Sequence, residues 1–437
     1  MIGASSSFAK GGAWEEKQHH LASFGHPIKC HRPAGFCGTH VSLYYQGIDT
    51  FTTECESVSL DASDTKFVMQ FCTEMAQGYA KEEDRMDQVR KSLTKYFALR
   101  DGRSVQEVSG MDGAVSVNDA PIMIIEGKYE VGAGGCDSYM EVIAHYCNAL
   151  TKHATDFRAP CFLVEIVGPH IAISGAVKGH HVMVDRLTPF MWMVPQPNDR
   201  SAMTQLARVF KALKNALAHL IEFHLRAVPE PERHYPYFRE ISDKGIIWYL
   251  EELKQNVFRC VLQKDGNSER VIVKFVERYG IEAHRLLEKK GYAPSVKAFV
   301  KNVTSRYHVI VMEYIEHAVT LYDYILKEEH KTHTVTQLKD HCSKALTLLH
   351  TQGYCHGDLR GNNILVRRHE TSCPVVIVDF DWSGKIGEAK YPLFMNHINL
   401  KWPDGATDNA PLCTEHDQYW LDKVFQLDSG QQGNNVE

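Results

Sequence analysis

His356-Gly357-Asp358-Leu359-Arg360-Gly361-Asn362-Asn363-Ile364-Leu365-Val366, followed by Val375-Val376-Ile377-Val378-Asp379-Phe380-Asp381, is the stretch whose reading decides the fold. Two apolar runs of strand length each adjoin a polar segment. The first segment carries an acid and an amide five positions apart, and the second run ends on another acid. Those residue types suit phosphoryl transfer: Asp358 would orient an attacking hydroxyl and accept its proton, while Asn363 and Asp379 would hold the Mg²⁺ that neutralises ATP phosphate charge. Arg360 would reach the transferred phosphate.

In order, spacing and context the stretch resembles the catalytic and metal-binding loops of eukaryotic-type protein kinases. Working outward, Phe258 to Leu262 and Val271 to Phe275 read as antiparallel strands around the turn Asp265-Gly266-Asn267. Ile281 to Lys290 reads as a short helix, and Val309 to Tyr314 as a buried strand. Leu338, Cys342, Leu346 and Leu349 mark a helix leading into the catalytic loop. The resemblance gives Lys274 the place of the strand lysine that holds ATP phosphates; a snorkelling surface lysine is the alternative. Its expected partner is Glu282, with Glu288 in reserve. Val311-Met312-Glu313-Tyr314 resembles the hinge that hydrogen-bonds adenine, which makes Glu313 a cofactor-binding position. Asp417 is similar to the helix aspartate that braces the catalytic loop.

The departures are also informative. Gly245 to Leu250 holds one glycine where a kinase phosphate loop usually shows three. Gly357, rather than arginine, precedes Asp358, so control through a phosphorylated activation loop is not indicated. Asp381 replaces the glycine of the metal-loop tripeptide, where it stiffens the turn or adds a metal ligand. Fewer than sixty residues follow Asp379. The resemblance is therefore to compact, divergent kinases of fungi and of Crinkler-type effectors, in which Asp-Phe-Asp-Trp and Trp-Pro-Asp-Gly stretches look similar to residues 379–382 and 402–405. A protein hydroxyl is the default acceptor, with a small molecule as the other choice.

The first half carries a second constellation. From Phe67 to Phe97 apolar residues recur at helical spacing, and Val115 to Val117 and Ile122 to Ile125 read as strands joined by the turn Asn118 to Pro121. Asp112 lies fourteen residues before Glu126, and Glu126-Gly127-Lys128 ends the second strand. A hairpin brings the two acids together as a hard-oxygen Mg²⁺ site, with Lys128 on the face of Glu126. The ion would polarise a phosphodiester and acidify a bound water. Glu82 or Glu83, on the preceding helix, would complete the ligand set. A glycine-rich turn, residues 131–135, leads to a helix from Tyr139 to Leu150, then strands over Cys161 to Ile166, Ile171 to Val177 and His181 to Leu187.

This order resembles the PD-(D/E)xK superfamily of restriction-endonuclease-like nucleases. Relatives often carry glutamine and tyrosine four apart on the following helix, where this chain has Glu141 and His145. The alternative is a solvated acid–lysine pair at a strand end. Ser201 to His224 is an amphipathic helix, and prolines between Arg226 and Pro236 end it.

The expected architecture is therefore α/β plus α+β: a poorly structured leader (1–40), a restriction-endonuclease-like α/β/α domain (41–197), the amphipathic helix and Pro-rich linker (198–238), and a compact two-lobed protein-kinase-like domain (239–437). One reading has the 201–224 helix dock on the second domain as a regulator. The rival to two enzymes is a pseudokinase with an inactive nuclease fold, acting as a nucleic-acid or protein binding module.

At 437 residues two or three domains are the prior, and a net charge of −6 offers no global basic surface. Twelve cysteines lie scattered among apolar runs, which points to a reducing compartment, cytoplasmic or nuclear, with the host nucleus by analogy to Crinkler-type effectors. Cys30, Cys37 and His40 have zinc-ligand chemistry but no evident fourth ligand. The partners expected are ATP, a protein substrate and DNA, and no membrane; oligomeric state is not written in the sequence.

Overall fold

The computed structural model describes residues 5–108, 110–132, 135–152, 158–195, 198–226, 234–327, 332–370 and 372–426. The chain forms two compact units, residues 1–238 and 239–437. Among the described residues no helix is long and apolar enough to cross a membrane.

The first unit has helices α1 (Ser5–Phe8), α2 (Gly11–Ser23), α3 (Gln46–Ser57), α4 (Ala62–Met75) and α5 (Glu82–Phe97), then strands β1 (Gln106–Val108), β2 (Met111–Val117) and β3 (Ala120–Lys128). Helix α6 (Ser138–Lys152) precedes β4 (Cys161–Val167), β5 (His170–Lys178), β6 (Val182–Arg186), β7 (Met191–Trp192) and α7 (Arg200–Arg226). The sheet runs β1-β2-β3-β4-β5-β6, with β7 against β5. Its most apolar strands, β3 and β4, occupy the middle, where both faces are buried. They pair in parallel, with Glu126 opposite Glu165. A parallel pair needs a crossover, and α6 supplies it. Strands β2 and β3 form a hairpin whose two turn residues, Asn118 and Asp119, both have positive φ.

The single helical run expected over 67–97 is two helices. Asp61 and Asp64 form a capping box that starts α4, and Tyr79, counted in the helical spacing, lies in the break and donates its hydroxyl to Glu74 O. Helix α7 belongs to this unit. Phe210 meets Phe67 and Phe71 edge-on at 5.3 Å, and Lys211 reaches the fully buried Asp64 carboxylate at 3.0 Å, which Tyr96 also bonds at 2.8 Å. Packing against α3 and α4 therefore occupies the apolar stripe that was expected to dock on the second domain. Of the Pro-rich linker, residues 227–233 lie outside the described residues, as do 133–134 of the glycine-rich turn.

The leader is not irregular. Trp14 is buried against Phe8 at 4.7 Å and donates its indole N–H to Arg32 O, while Gln18 both donates to and accepts from the Ile28 backbone. Lys29 bridges to Met183, and His31 Nε2 lies 2.7 Å from Asp185 Oδ1. The low hydrophobic periodicity of this segment hid contacts that depend on single aromatic and amide side chains. Cys30, Cys37 and His40 are not drawn together as a ligand group: burial pushes the Cys30 thiol up to about 11, and His40 Nδ1 faces Ser42 Oγ at 2.8 Å.

The second unit opens with a six-stranded antiparallel sheet, order β12-β13-β11-β10-β9-β8. Its strands are β8 (Glu240–Ile241), β9 (Gly245–Lys254), β10 (Val257–Lys264), β11 (Asn267–Val276), β12 (Val296–Val300) and β13 (His308–Glu313), with α8 (Ile281–Glu288) inserted after β11. Then come β14 (Ala318–Thr320), α9 (Leu321–Lys327), α10 (Val335–Thr351), β15 (Tyr354–Cys355), β16 (Ile364–Arg367), β17 (Val375–Ile377), β18 (Gly384–Lys385) and α11 (Thr414–Gln426). Leu338, Cys342, Leu346 and Leu349 of α10 share one apolar core with Trp420 and Leu421 of α11 and with Phe380.

The His31–Asp185 bond makes a pH-dependent clamp on the leader. The bond to Asp185 raises the imidazolium pKa to about 9, against burial, which lowers it. A raised histidine contributes stability that is complete below its unfolded value and fades as pH rises through the folded one. Melting curves of the wild type and His31→Gln are expected to differ at about pH 6 and to converge at about pH 10.

Candidate active site

The polar stretch His356 to Asn363 is shaped by one buried carboxylate. Asp417, in the first turn of α11, accepts the backbone N–H groups of His356 and Gly357, both at 2.8 Å, and faces His350 Nε2 at 3.1 Å. Charge-assisted bonds of this kind fix a loop's backbone. Gly357 itself adopts φ +84°, a conformation that the arginine found in most kinases would strain.

On that loop the Asp358 carboxylate receives a two-pronged bond from Arg360, Nε to Oδ1 at 2.6 Å and Nη2 to Oδ2 at 2.7 Å. Asn363 Nδ2 donates to Asp358 O and Oδ2, each at 2.9 Å. Strand β16 begins immediately after Asn363, and β17 pairs antiparallel to it with Ile364 opposite Ile377. That register returns the chain so that Val378 N bonds Asn363 O at 2.9 Å, and Asp379 follows directly. Asp379 has φ +69°, which costs an ordinary residue about 1–2 kcal/mol, and buried Phe380, stacked on His284 at 4.6 Å, anchors the turn beyond it.

Lys274 of β11 extends to the same place. Its Nζ lies 2.7 Å from Asp379 Oδ1 and 2.6 Å from Asp381 Oδ1, and Lys254 Nζ lies 3.4 Å from Asp379 Oδ2. Burial works to raise the Asp379 pKa, but the charges of Lys274 and Lys254 outweigh it and hold that carboxyl well below the usual range. Asp381 moves the other way, pushed up by burial and then by the Asp379 charge beside it. Burial likewise opposes the Lys274 charge, and the two aspartates restore it, leaving its pKa raised.

Several expectations change here. Glu282 is solvent-exposed, and Glu288 accepts Val296 N at 2.9 Å, so neither partners Lys274. Asp381 has that role: it sits in the turn Lys274 points into, whereas α8 turns His284 and Leu287 inward. Gly245 to Leu250 lies within β9 rather than in a phosphate loop; the turn into β10 is Gln255-Asn256, with Asn256 at φ +63°. Lys254, beside that turn, is a cation that sequence reading missed. Its signal was a Lys-Gln-Asn turn between two alternating strands. Glu313 ends β13, where its carboxylate accepts Ser295 N at 3.1 Å.

In the first unit Glu126 and Lys128 share one face of β3, as their spacing predicts, and that face meets α6. Lys128 Nζ is 2.7 Å from Glu126 Oε1 and 2.7 Å from Glu141 Oε2. Burial disfavours the ammonium, but bonds to these two acids prevail and raise its pKa. Gly113 pairs with Ile125, so Asp112 comes opposite Glu126; its Oδ2 accepts Gly127 N at 2.7 Å. Burial first, with the Asp112 charge adding to it, pushes the Glu126 carboxyl up despite the opposing pull of His145 and Lys128. The helix acids do not join them. Glu82 accepts Tyr129 N at 2.9 Å, and Glu83 is exposed, because α5 turns Arg85, Met86 and Val89 inward. Glu141 and His145 of α6 stand at the site instead.

With this geometry in place, comparison with known proteins is informative for the second unit. The protein tyrosine and serine/threonine kinase family model matches residues 254–404. The EKC/KEOPS complex subunit Tp53rkb of Mus musculus is 33% identical over 107 residues, which cover 23% of this chain and 43% of that relative. The chain thus spans less than half the length of this curated relative. Among solved structures, the PK-1 kinase of Cydia pomonella granulovirus is similar at 18% identity and a TM-score of 0.34, over 42% of this chain and 69% of that one.

The altered partner of Lys274 is testable by stability. Lys274→Met leaves Asp379 with only the exposed Lys254 and Asp381 without a cation, and is expected to cost about 3 kcal/mol in urea unfolding, whereas Glu282→Ala, at an exposed site, is expected to change stability by less than about 0.5 kcal/mol.

Proposed function

We propose that the unit of residues 239–437, with its protein kinase domain at 254–404, transfers the γ-phosphoryl group of ATP to a hydroxyl, most simply that of a protein side chain. The observation that carries this reading is the convergence of Asp358, Asn363, Asp379 and Lys274, from three separate elements, on one end of the β16–β17 hairpin. In this reading Asp358 orients the acceptor hydroxyl and takes its proton, Arg360 compensates charge at the transferred group, and Lys274 leaves its aspartates to hold ATP phosphates. Glu313 marks the segment that meets adenine. Asp379 and Asn363 offer hard carboxylate and amide oxygens, a donor set that fits Mg²⁺, and the ion when bound would neutralise phosphate charge.

The missing glycine loop is the main argument for a pseudokinase. The short Gln255-Asn256 turn and the Lys254 cation beside Asp379 weaken that argument, since backbone N–H groups and one ammonium can cover phosphate without three glycines. Incubation with Mg²⁺ and labelled ATP is expected to label the protein or a generic acceptor, and Asp358→Asn to reduce the rate about 10²–10⁴-fold. Equal labelling by wild type and variant would refute the reading.

A second activity is favoured by a specific observation in the first unit. Helix, three antiparallel strands, crossover helix and parallel strand occur in the order of the PD-(D/E)xK nucleases, with Asp112 opposite Glu126 and Lys128 on the Glu126 face. In this reading the acids hold a divalent ion and Lys128 positions a water for attack on a phosphodiester. Plasmid DNA is expected to be nicked in Mg²⁺ by the wild type, and Glu126→Ala and Lys128→Ala to lose at least about 10²-fold of that rate. Cutting at equal rates by all three would place the activity elsewhere.

A further inference from the structure

The positions on α6 that depart from the nuclease pattern are the ones that face Glu126. Glu141 and His145 are four residues apart, hence one turn apart on the same helix face. One ligand atom each from Glu126, Glu141 and His145 lies within 4.8 Å of the others, and all three residues are more than nine-tenths buried.

His145 supplies the independent observation. Its Nδ1 faces Ser5 Oγ at 3.2 Å, which fixes the ring and directs Nε2 into the cluster. Nε2 lies 3.2 Å from Glu126 Oε2 yet has no aligned hydrogen-bond partner among the described residues. A doubly protonated ring would pair with Glu126 Oε2 by charge without an aligned bond, and neither neutral tautomer does better. With the proton on Nε2, a buried donor lacks an aligned acceptor; with it on Nδ1, a lone pair faces a carboxylate oxygen. Buried polar atoms left unpaired in this way are costly and uncommon. A cation between the nitrogen and the oxygen satisfies both, and a ligating histidine typically has its other ring nitrogen bonded by a second group, as Ser5 does here.

Charge supports the same conclusion. Asp112, Glu126 and Glu141 bring three carboxylates to the site, against the one ammonium of Lys128. That ammonium sits between Glu126 and Glu141, where a metal ion would compete with it.

We propose that Glu126, Glu141 and His145 form a site for a first-row transition-metal dication, of the Mn²⁺, Fe²⁺ or Zn²⁺ class, in the first unit. Two carboxylates and an imidazole nitrogen favour such ions over Mg²⁺, which prefers oxygen ligands only. The site shares Glu126 with the nuclease reading but stands without it, since it rests on the His145 geometry.

The test is Mn²⁺ binding to the full chain without nucleotide, followed by the electron paramagnetic resonance signal of free Mn²⁺. The wild type is expected to bind Mn²⁺ with Mg²⁺ competing at least about tenfold less well. Glu141→Gln and His145→Ala are each expected to weaken binding about tenfold or more, and Lys128→Ala to tighten it. Should a variant fail to fold, electron spin-echo modulation on the Mn²⁺-loaded wild type gives the answer directly: imidazole nitrogen coupling is expected. Absence of nitrogen coupling, or unchanged affinity in folded Glu141→Gln and His145→Ala, would overturn the site. A chain that shows nitrogen coupling but nicks no plasmid keeps the site and loses the nuclease reading. One that nicks plasmid in Mg²⁺ without nitrogen coupling does the reverse.

Discussion

A buried lysine ammonium held between two half-buried carboxylates is the interaction on which the second unit depends. Lys274 ties β11 of the antiparallel sheet to Asp379 and Asp381 in the turn after β17, so one charge cluster joins the sheet to the segment beside Asp358 and Asn363. A buried ammonium is tolerable there because the two partly exposed carboxylates neutralise it. In the proposed reading the arrangement also allows an exchange, in which a nucleotide phosphate takes the ammonium and a divalent ion takes the carboxylate it leaves. A positive φ at Asp379 and the buried Phe380 keep that carboxylate aimed inward in the meantime.

The first unit repeats the device on an unrelated sheet. Lys128 lies between Glu126 and Glu141 at the same 2.7 Å separations. In both units a strand lysine meets two carboxylates, at least one of them supplied by a neighbouring segment. Such a lysine is a built-in counter-ion for an acid cluster drawn partly out of water. The difference lies in what else meets the acids: an imidazole on Glu126 in the first unit, a second lysine, Lys254, on Asp379 in the second.

The arrangement around Asp358 was legible in the sequence because its residues are local. Asp358, Asn363 and Asp379 are spaced by loop and hairpin lengths, and Asp417 announced itself through the helix that follows. Pairings across long separations were less readable. Glu282 was the natural partner for Lys274 by helix position, yet Asp381, visible as a departure from glycine, holds the lysine; an acid two residues after Asp379 was a signal of charge, not only of turn shape. Glu82 and Glu83 were chosen for proximity in sequence, whereas Glu141 and His145 reach Glu126 because the β3-α6-β4 crossover lays α6 over that face. The leader was missed because Trp14 and Gln18 hold it through two side chains rather than through a periodic stripe.

In the proposed reading, Asp379 takes a divalent cation and the Lys274 ammonium that now holds it takes a nucleotide phosphate. Crystals of the full chain grown with Mn²⁺ and a non-hydrolysable ATP analogue test it most directly through anomalous scattering. The account predicts a manganese peak touching Asp379 and Asn363, with Lys274 Nζ moved from Asp379 onto a nucleotide phosphate. Nucleotide density with no metal at Asp379, and Lys274 still bonded to both aspartates, would contradict it.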